Sequence, residues 1–237
     1  TGGTVTATID AISVDELKQL EGTNAYTITI TNSDADAKNS TADEFNDINS
    51  ATTVAIDATN VVSLAASTAG NVSTLMAAAV DTDQFVADSF ASIAANGITI
   101  SGTTIDVTDL NLAISRSNTA SDNTVDVAFA EDQGDITING GTATDFHTTL
   151  LGHESDGKIG GGGVGLTGVK LTIDESEVTV AQANDLTGTT TGVVTATVSD
   201  GDVATLKDLE ERANAKLTVT VTDTSAAAAN LNTINAG

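Results

Sequence analysis

The clearest pattern of apolar and polar positions runs from Val193 to Ile234, VVTATVSDGDVATLKDLEERANAKLTVTVTDTSAAAANLNTI. A run in which Thr alternates with apolar residues closes on an Asp. Small polar residues follow, then two apolar residues three apart. The phrase occurs twice, first as Thr195 to Val198, Asp200, Leu206 and Leu209, then as Leu217 to Val221, Asp223, Leu231 and Ile234. Alternation rich in β-branched residues is the period-two signal of a strand. Apolar residues three apart make one stripe of a short helix, which holds only by packing on its neighbours.

The same element opens the chain. Thr4 to Asp10 (TVTATID) closely matches Val194 to Asp200 (VTATVSD), and VDELKQLEGTNAYTITIT matches VATLKDLEERANAKLTVTVT, allowing a two-residue gap. Similar apolar pairs stand at Leu17/Leu20, Phe45/Ile48 and Phe90/Ile93. The closing Asp gives a ruler: Asp10 to Asp34 is 24 residues, Asp34 to Asp57 is 23, Asp174 to Asp200 is 26 and Asp200 to Asp223 is 23. Asp81 and Asp106 fall near further beats. The pattern predicts a β-rich α/β solenoid. Its coils hold about 23–26 residues, each one strand plus a short helix or turn, with successive strands parallel and helices covering one face.

Three segments are expected within one continuous domain: solenoid coils over 1–96, modified coils over 97–168, and solenoid coils again over 169–237. The middle is irregular and β/Gly-rich. Asn96-Gly97, Ser101-Gly102 and Asn139-Gly140-Gly141 are hairpin-type turn signals, and Ile98-Thr99-Ile100 with Thr104-Ile105 predicts a short hairpin. Gly157 to Gly168 reads as a Gly-rich loop.

Composition narrows the functional classes. Aromatics make up 3% of the 237 residues, without Trp, so the core is expected to be thin and built from small aliphatics. Phe45, Phe85, Phe90, Phe129 and Phe146 read as core positions. The formal charge of −25 excludes the clustered cations that nucleic acid requires, and disfavours an anionic membrane surface. It suits a protein kept soluble by self-repulsion, in high salt or with bound cations. There is no Cys, hence no disulfide or thiol chemistry, and no signal peptide or membrane-spanning stretch is visible. A start at Thr1 without Met suggests a processed product or part of a longer chain.

The recurrent Asp is the most specific candidate for chemistry. At a strand end it is well placed to accept hydrogen bonds from the free N–H groups of the next helix. The pairs Asp34/Asp36, Asp81/Asp83 and Asp200/Asp202, with Asp174/Glu175/Glu177, also put hard oxygen ligands in turns, the chemistry of calcium, without a diagnostic loop motif. Gly152 to Ile159 (GHESDGKI) nearly spells a phosphate-binding loop. It lacks the Ser or Thr needed at Ile159 and carries Glu154 and Asp156, so a flexible loop is expected. His147 and His153 are six apart, a spacing that fits no ligand pair on one helix face. No nucleophile–base–acid constellation stands out, and no enzymatic role is expected.

Strand-Asp-helix units such as TATVSDGDVATLKDL and TVTVTDTSAAAANLNTI resemble repeats of very long secreted surface proteins of marine bacteria, cyanobacteria especially. The similarity covers residues 1–64 and 169–237. It implies an extracellular, cell-surface structural or adhesive role, sometimes with calcium, and defines no catalytic residues. The expectation is a structural repeat protein that self-associates head to tail into a filament or surface layer. The alternative is an adhesin or phage-fibre module that recognises a glycan or protein through its irregular middle.

Overall fold

A computed structural model describes residues 5–12, 14–30, 40–95, 97–121, 126–160 and 165–236, with side chains omitted at 10–12, 94–95, 118–121, 133 and 235–236. In chain order the elements are β1 (Thr6–Ile12), α1 (Val14–Leu17), β2 (Ala25–Ile30), α2 (Ala42–Ser50), α3 (Ala69–Ala79), a 3-10 turn (Ala91–Ala95), β3 (Ile98–Ile100) and β4 (Thr104–Asp106). Then come α4 (Val107–Ser121), β5 (Val127–Phe129), a second 3-10 turn (Gln133–Asp135), β6 (Thr137–Asn139), and a π-helical turn (Asp145–Leu150) running into α5 (Leu151–Ser155). β7 (Lys170–Thr172), α6 (Val180–Thr189), β8 (Val194–Thr197), α7 (Val203–Leu206), β9 (Ala215–Thr218) and α8 (Ala228–Ala236) complete the chain. The protein is thus α/β with parallel sheets. It divides into two compact units, Thr1–Ser101 with Leu112–Ala130, and Gly102–Asn111 with Glu131–Gly237.

In the first unit β1 pairs with β2 (Thr6↔Ala25, Ile9↔Ile28) and β3 with β5 (Ile98↔Val127). Isolated parallel bridges add Asn24↔Thr52, Thr29↔Asp57, Ile56↔Phe85 and Ser67↔Ile100. In the second unit five strands stand in the order β4-β6-β7-β8-β9. Their registers run Thr104↔Thr137, Thr137↔Lys170, Leu171↔Val194 and Val194↔Ala215. Partners are therefore 33 (137 − 104), 33 (170 − 137), 23 (194 − 171) and 21 (215 − 194) residues apart.

The hairpin expected from Ile98 to Ile105 does not form. β3 and β4 pair in parallel with β5 and β6 respectively. The reason is local: Ser101, just after β3, donates its N–H to Ser67 O at 2.9 Å, so the turn residues are committed to the ladder of the first unit.

Small aliphatics fill the interiors, as the composition requires. Ile28, Ile30, Ile56, Leu75 and Met76 are buried in the first unit, and Ile138, Leu171, Val194 and Leu206 in the second. Phe45, Phe85, Phe90 and Phe146 are fully buried, whereas Phe129 is half-buried. Phe90 stacks edge-on against Phe45 and Phe85, with ring centroids 5.2 and 5.1 Å away. It does so with φ at +63°, a left-handed backbone that costs a bulky residue about 1–2 kcal/mol. Burying the ring, worth about 1.5–3 kcal/mol, offsets that. The apolar pairs at Phe45/Ile48, Phe90/Ile93 and Leu206/Leu209 are buried as their spacing implies, but Leu231 is 42% exposed.

Helix starts are secured twice over. Locally, Thr41 and Glu44 form a capping box on α2, and Thr179 and Gln182 form one on α6. Asp202 accepts from Thr205 N at 2.9 Å at the start of α7. The second bond comes from further along the chain. Ala42 N, the first of α2, donates to Ser67 Oγ at 2.9 Å, and Ala143 N to Ser176 Oγ at 2.7 Å. Val180 N, the first of α6, donates to Asp200 Oδ2 at 2.7 Å, and Val203 N, the first of α7, to Asp223 Oδ2 at 2.7 Å. A helix leaves its first N–H groups without intrahelical partners, so each of these bonds ties a helix start to the residues 20 to 33 positions downstream.

Asp200 and Asp223 thus cap the helix that precedes their own strand, whereas Asp106 caps the helix that follows it, accepting from Thr108 N and Asp109 N at 2.8 and 3.1 Å. Asp57 closes a tight turn on Thr59. Asp34 lies outside the described residues, as does the side chain of Asp10.

Two consequences can be measured. Asp200→Ala and Asp223→Ala should each lower unfolding free energy by about 1 kcal/mol in urea titrations. Asp174→Ala, at an exposed position, should stay within about 0.5 kcal/mol of the parent. Gly192→Ala should cost about 1–3 kcal/mol, because a Cβ there would sit 2.3 Å from Val169 O and 2.4 Å from Gly168 O.

Candidate functional site

The carboxylates expected to attract calcium are distributed rather than gathered. Asp34 and Asp36 lie outside the described residues. Asp81 Oδ2 accepts from Gln84 Nε2 at 2.7 Å and its Oδ1 from Asp83 N at 3.0 Å. Those two bonds, the Gln84 amide first, hold Asp81 below the usual carboxylate range. Asp202 is lowered likewise, by the Thr205 hydroxyl at 2.9 Å and then by the Thr205 N–H. Asp200 spends one oxygen on Val180 N. Each described carboxylate of these pairs except Asp83 is therefore an acceptor for protein donors. Among the described residues no group of three or more His, Asp or Glu side chains converges as a metal site.

A different cluster forms where sequence spacing gave no signal. The π-helical turn Asp145–Leu150 and α5 carry His147, Thr148, Leu151, Gly152, Glu154 and Ser155 along one side of a cleft of about 570 Å³, and α6 supplies Asp185 and Thr189. His147 Nε2 lies 2.8 Å from Asp185 Oδ2. When Nε2–H is the donor, Nδ1 of the neutral ring is left as an acceptor. One oxygen of Glu154 accepts from Leu166 N at 3.1 Å, and Ser155 Oγ donates to Gly152 O at 2.9 Å. Ser155 is thus bonded back onto its own helix. The cleft presents hydroxyls, a carboxylate and an imidazole, a set suited to hydrogen-bonding a polar ligand. The His147–Asp185 pair spans 38 residues and joins two different helices, a juxtaposition that spacing along the chain does not announce.

The stretch Gly152 to Ile159, expected to be a flexible loop, is instead mostly the end of α5. Lys158 N donates to His153 O at 2.9 Å and Gly157 N to Glu154 O at 2.9 Å, with Gly157 at φ +71°. This is a helix stop built around a left-handed glycine, and Ile159 is buried behind it. The N–H groups that a phosphate-binding loop would offer are consumed by the helix end, and Lys158 pairs with Asp156 at 2.8 Å.

His153 does not share the cleft's pairing. Half-buried, its imidazole is held below the usual range, chiefly by desolvation and then by Lys158, against smaller raising effects of Asp156 and Asn111. A depressed native pKa means that the unfolded chain takes up the proton first as pH falls. Stability should therefore decline as pH drops from about 7.5 to about 5.5, a window above the carboxylate range. His153→Gln should flatten that decline, as read from urea midpoints across the window.

Among the described residues, no helix is long and apolar enough to cross a membrane. Searches against protein-family models, curated proteins and solved structures give no match to this chain.

Proposed function

We propose that this chain is an extracellular structural repeat protein, a parallel solenoid that associates head to tail into a filament or surface layer. The observation that carries the reading is the edge left at β9. Every strand pairing described is parallel, and the five-strand order ends on β9, which is bonded to β8 alone. Beside it Val221 and Leu231 are 37% and 42% exposed, whereas Ala196, Val198 and Leu206, one repeat earlier, are covered. A ladder that ends in open backbone groups beside an apolar surface is a template for continuation. The sequence likeness between the two ends supports the same reading, since one end then matches what the other already binds.

Charge sets the conditions. Two copies at −25 repel one another, and salt shortens the range of that repulsion from about 10 Å at 0.1 M to about 3 Å at 1 M. Association should accordingly strengthen with NaCl, and more steeply with calcium if cations bridge exposed carboxylates such as Asp83. Sizing with light scattering over rising protein concentration, at low and high salt and with calcium or chelator, measures this. A chain that stays monomeric in every condition refutes the reading.

The cleft favours a second reading, a surface adhesin or phage-fibre module that holds a glycan between His147, in the segment 97–168, and Asp185 of α6, beyond it. His147→Ala with Asp185→Ala would then abolish glycan binding on an array and leave assembly unchanged.

A further inference from the structure

Resting on that assembly reading, we propose that the joint is one added strand: the free edge of β9 in one copy receives β1 of a second copy, in parallel. The receiving surface is a groove of about 450 Å³ in which the side chains of Leu209, Leu217, Val219, Val221 and Leu231 stand beside Lys216. Along β9 the side chains of Ala215, Leu217 and Val219 are half-buried, and the alternate Lys216, Thr218 and Thr220 are exposed. The groove side therefore carries the apolar face of the strand.

The occupant is chosen by its likeness to β8, the strand on the other edge of β9. β8 and the residue after it read Val194-Thr195-Ala196-Thr197-Val198, with Val194, Ala196 and Val198 buried. β1 and the residue before it read Val5-Thr6-Ala7-Thr8-Ile9, nearly the same word. Its alternation has the same phase, with Ala7 and Ile9 half-buried and Thr6 and Thr8 exposed. Val5 is 51% exposed, and β1 pairs within its own sheet with β2 alone. Among the described residues a second copy thus offers a strand unpaired on its edge away from β2, whose inward residues alternate in phase with those of β9.

The register follows from the same match. Thr195 stands opposite Lys216 and Thr197 opposite Thr218 within the chain. β8 fills one edge of β9, so the second copy's β1 meets the other; with outward residues kept level as they are across β8 and β9, its Thr6 lies opposite Lys216 and its Thr8 opposite Thr218. Ala7 and Ile9 then close over Leu217 and Val219. A one-residue slip would turn Thr6 and Thr8 into the groove, which is why the register is specified. The chain has no Pro with which to block either edge.

The absence of Cys makes the joint directly testable. Thr8→Cys and Thr218→Cys are single changes at exposed strand positions. Thr197→Cys with Thr218→Cys in one chain is the geometric control, since those residues are partners in register. Under mild oxidation at high salt, an equimolar mixture of the two single variants should give a disulfide-linked dimer at least tenfold above either variant alone. Val221→Asp should weaken association at least tenfold with unchanged circular dichroism. If the copies associate by scattering, yet the mixture cross-links no better than the separate variants, the joint lies elsewhere and assembly itself stands. If no association occurs in any condition, the assembly reading fails and the joint fails with it.

Discussion

Parallel pairing between strands whose first partners lie 19 (25 − 6) to 33 (137 − 104) residues apart is the constraint on which both units depend. A parallel partner cannot be reached by a tight turn, so every pairing needs a connection that leaves the sheet and returns. Here those connections range from a single helical turn, as between β8 and β9, to a strand and a helix together, as between β3 and β5, and the pairings they allow are short. Three-residue strands such as β4, β6 and β7 have little stability individually. Their persistence depends on the neighbours on either side, and the helices likewise are mostly too short to stand alone.

The thin aliphatic interior follows from this arrangement. A repeat that presents two or three inward positions per strand has room for Ile, Val, Leu and Ala, and little for rings. The cluster of Phe45, Phe85 and Phe90 is the exception, and it falls in the part of the first unit where strand pairing is reduced to isolated bridges. Ring packing there takes over some of the cohesion that ladders supply elsewhere. Polar groups inside are treated economically: Thr190 donates its hydroxyl to Val169 O at 2.6 Å, and Thr52 to Tyr26 O at 2.7 Å, so each lies across a gap between successive strands.

The ends of the chain were legible because their alternation is clean. Thr195 to Val198 announces a strand and Leu206 with Leu209 a buried stripe, whereas the strand expected over Leu217 to Val221 stands earlier, at Ala215–Thr218. The Asp ruler was legible in position and partly in role: Asp106 serves the helix after it, but Asp200 and Asp223 serve the one before. That direction has no local signature, since it depends on a strand of the next repeat lying beside a helix start. The middle was misread for related reasons. Its paired strands stand 33 residues apart rather than 23, and α4 is rich in Thr, Ser and Asn, which blur a helical stripe. The cleft at His147 was invisible because its two halves come from different helices.

The bonds from helix starts to downstream side chains all point the same way along the chain. Ala42 is completed by Ser67, Ala143 by Ser176, Val180 by Asp200 and Val203 by Asp223. A repeat emerging first, from a ribosome or across a membrane, would remain unfinished until its successor arrived and closed it. Order would then travel down the chain behind the growing or emerging end. The half-made state at any moment would be confined to one segment, with the first N–H of its helix turned towards whatever comes next.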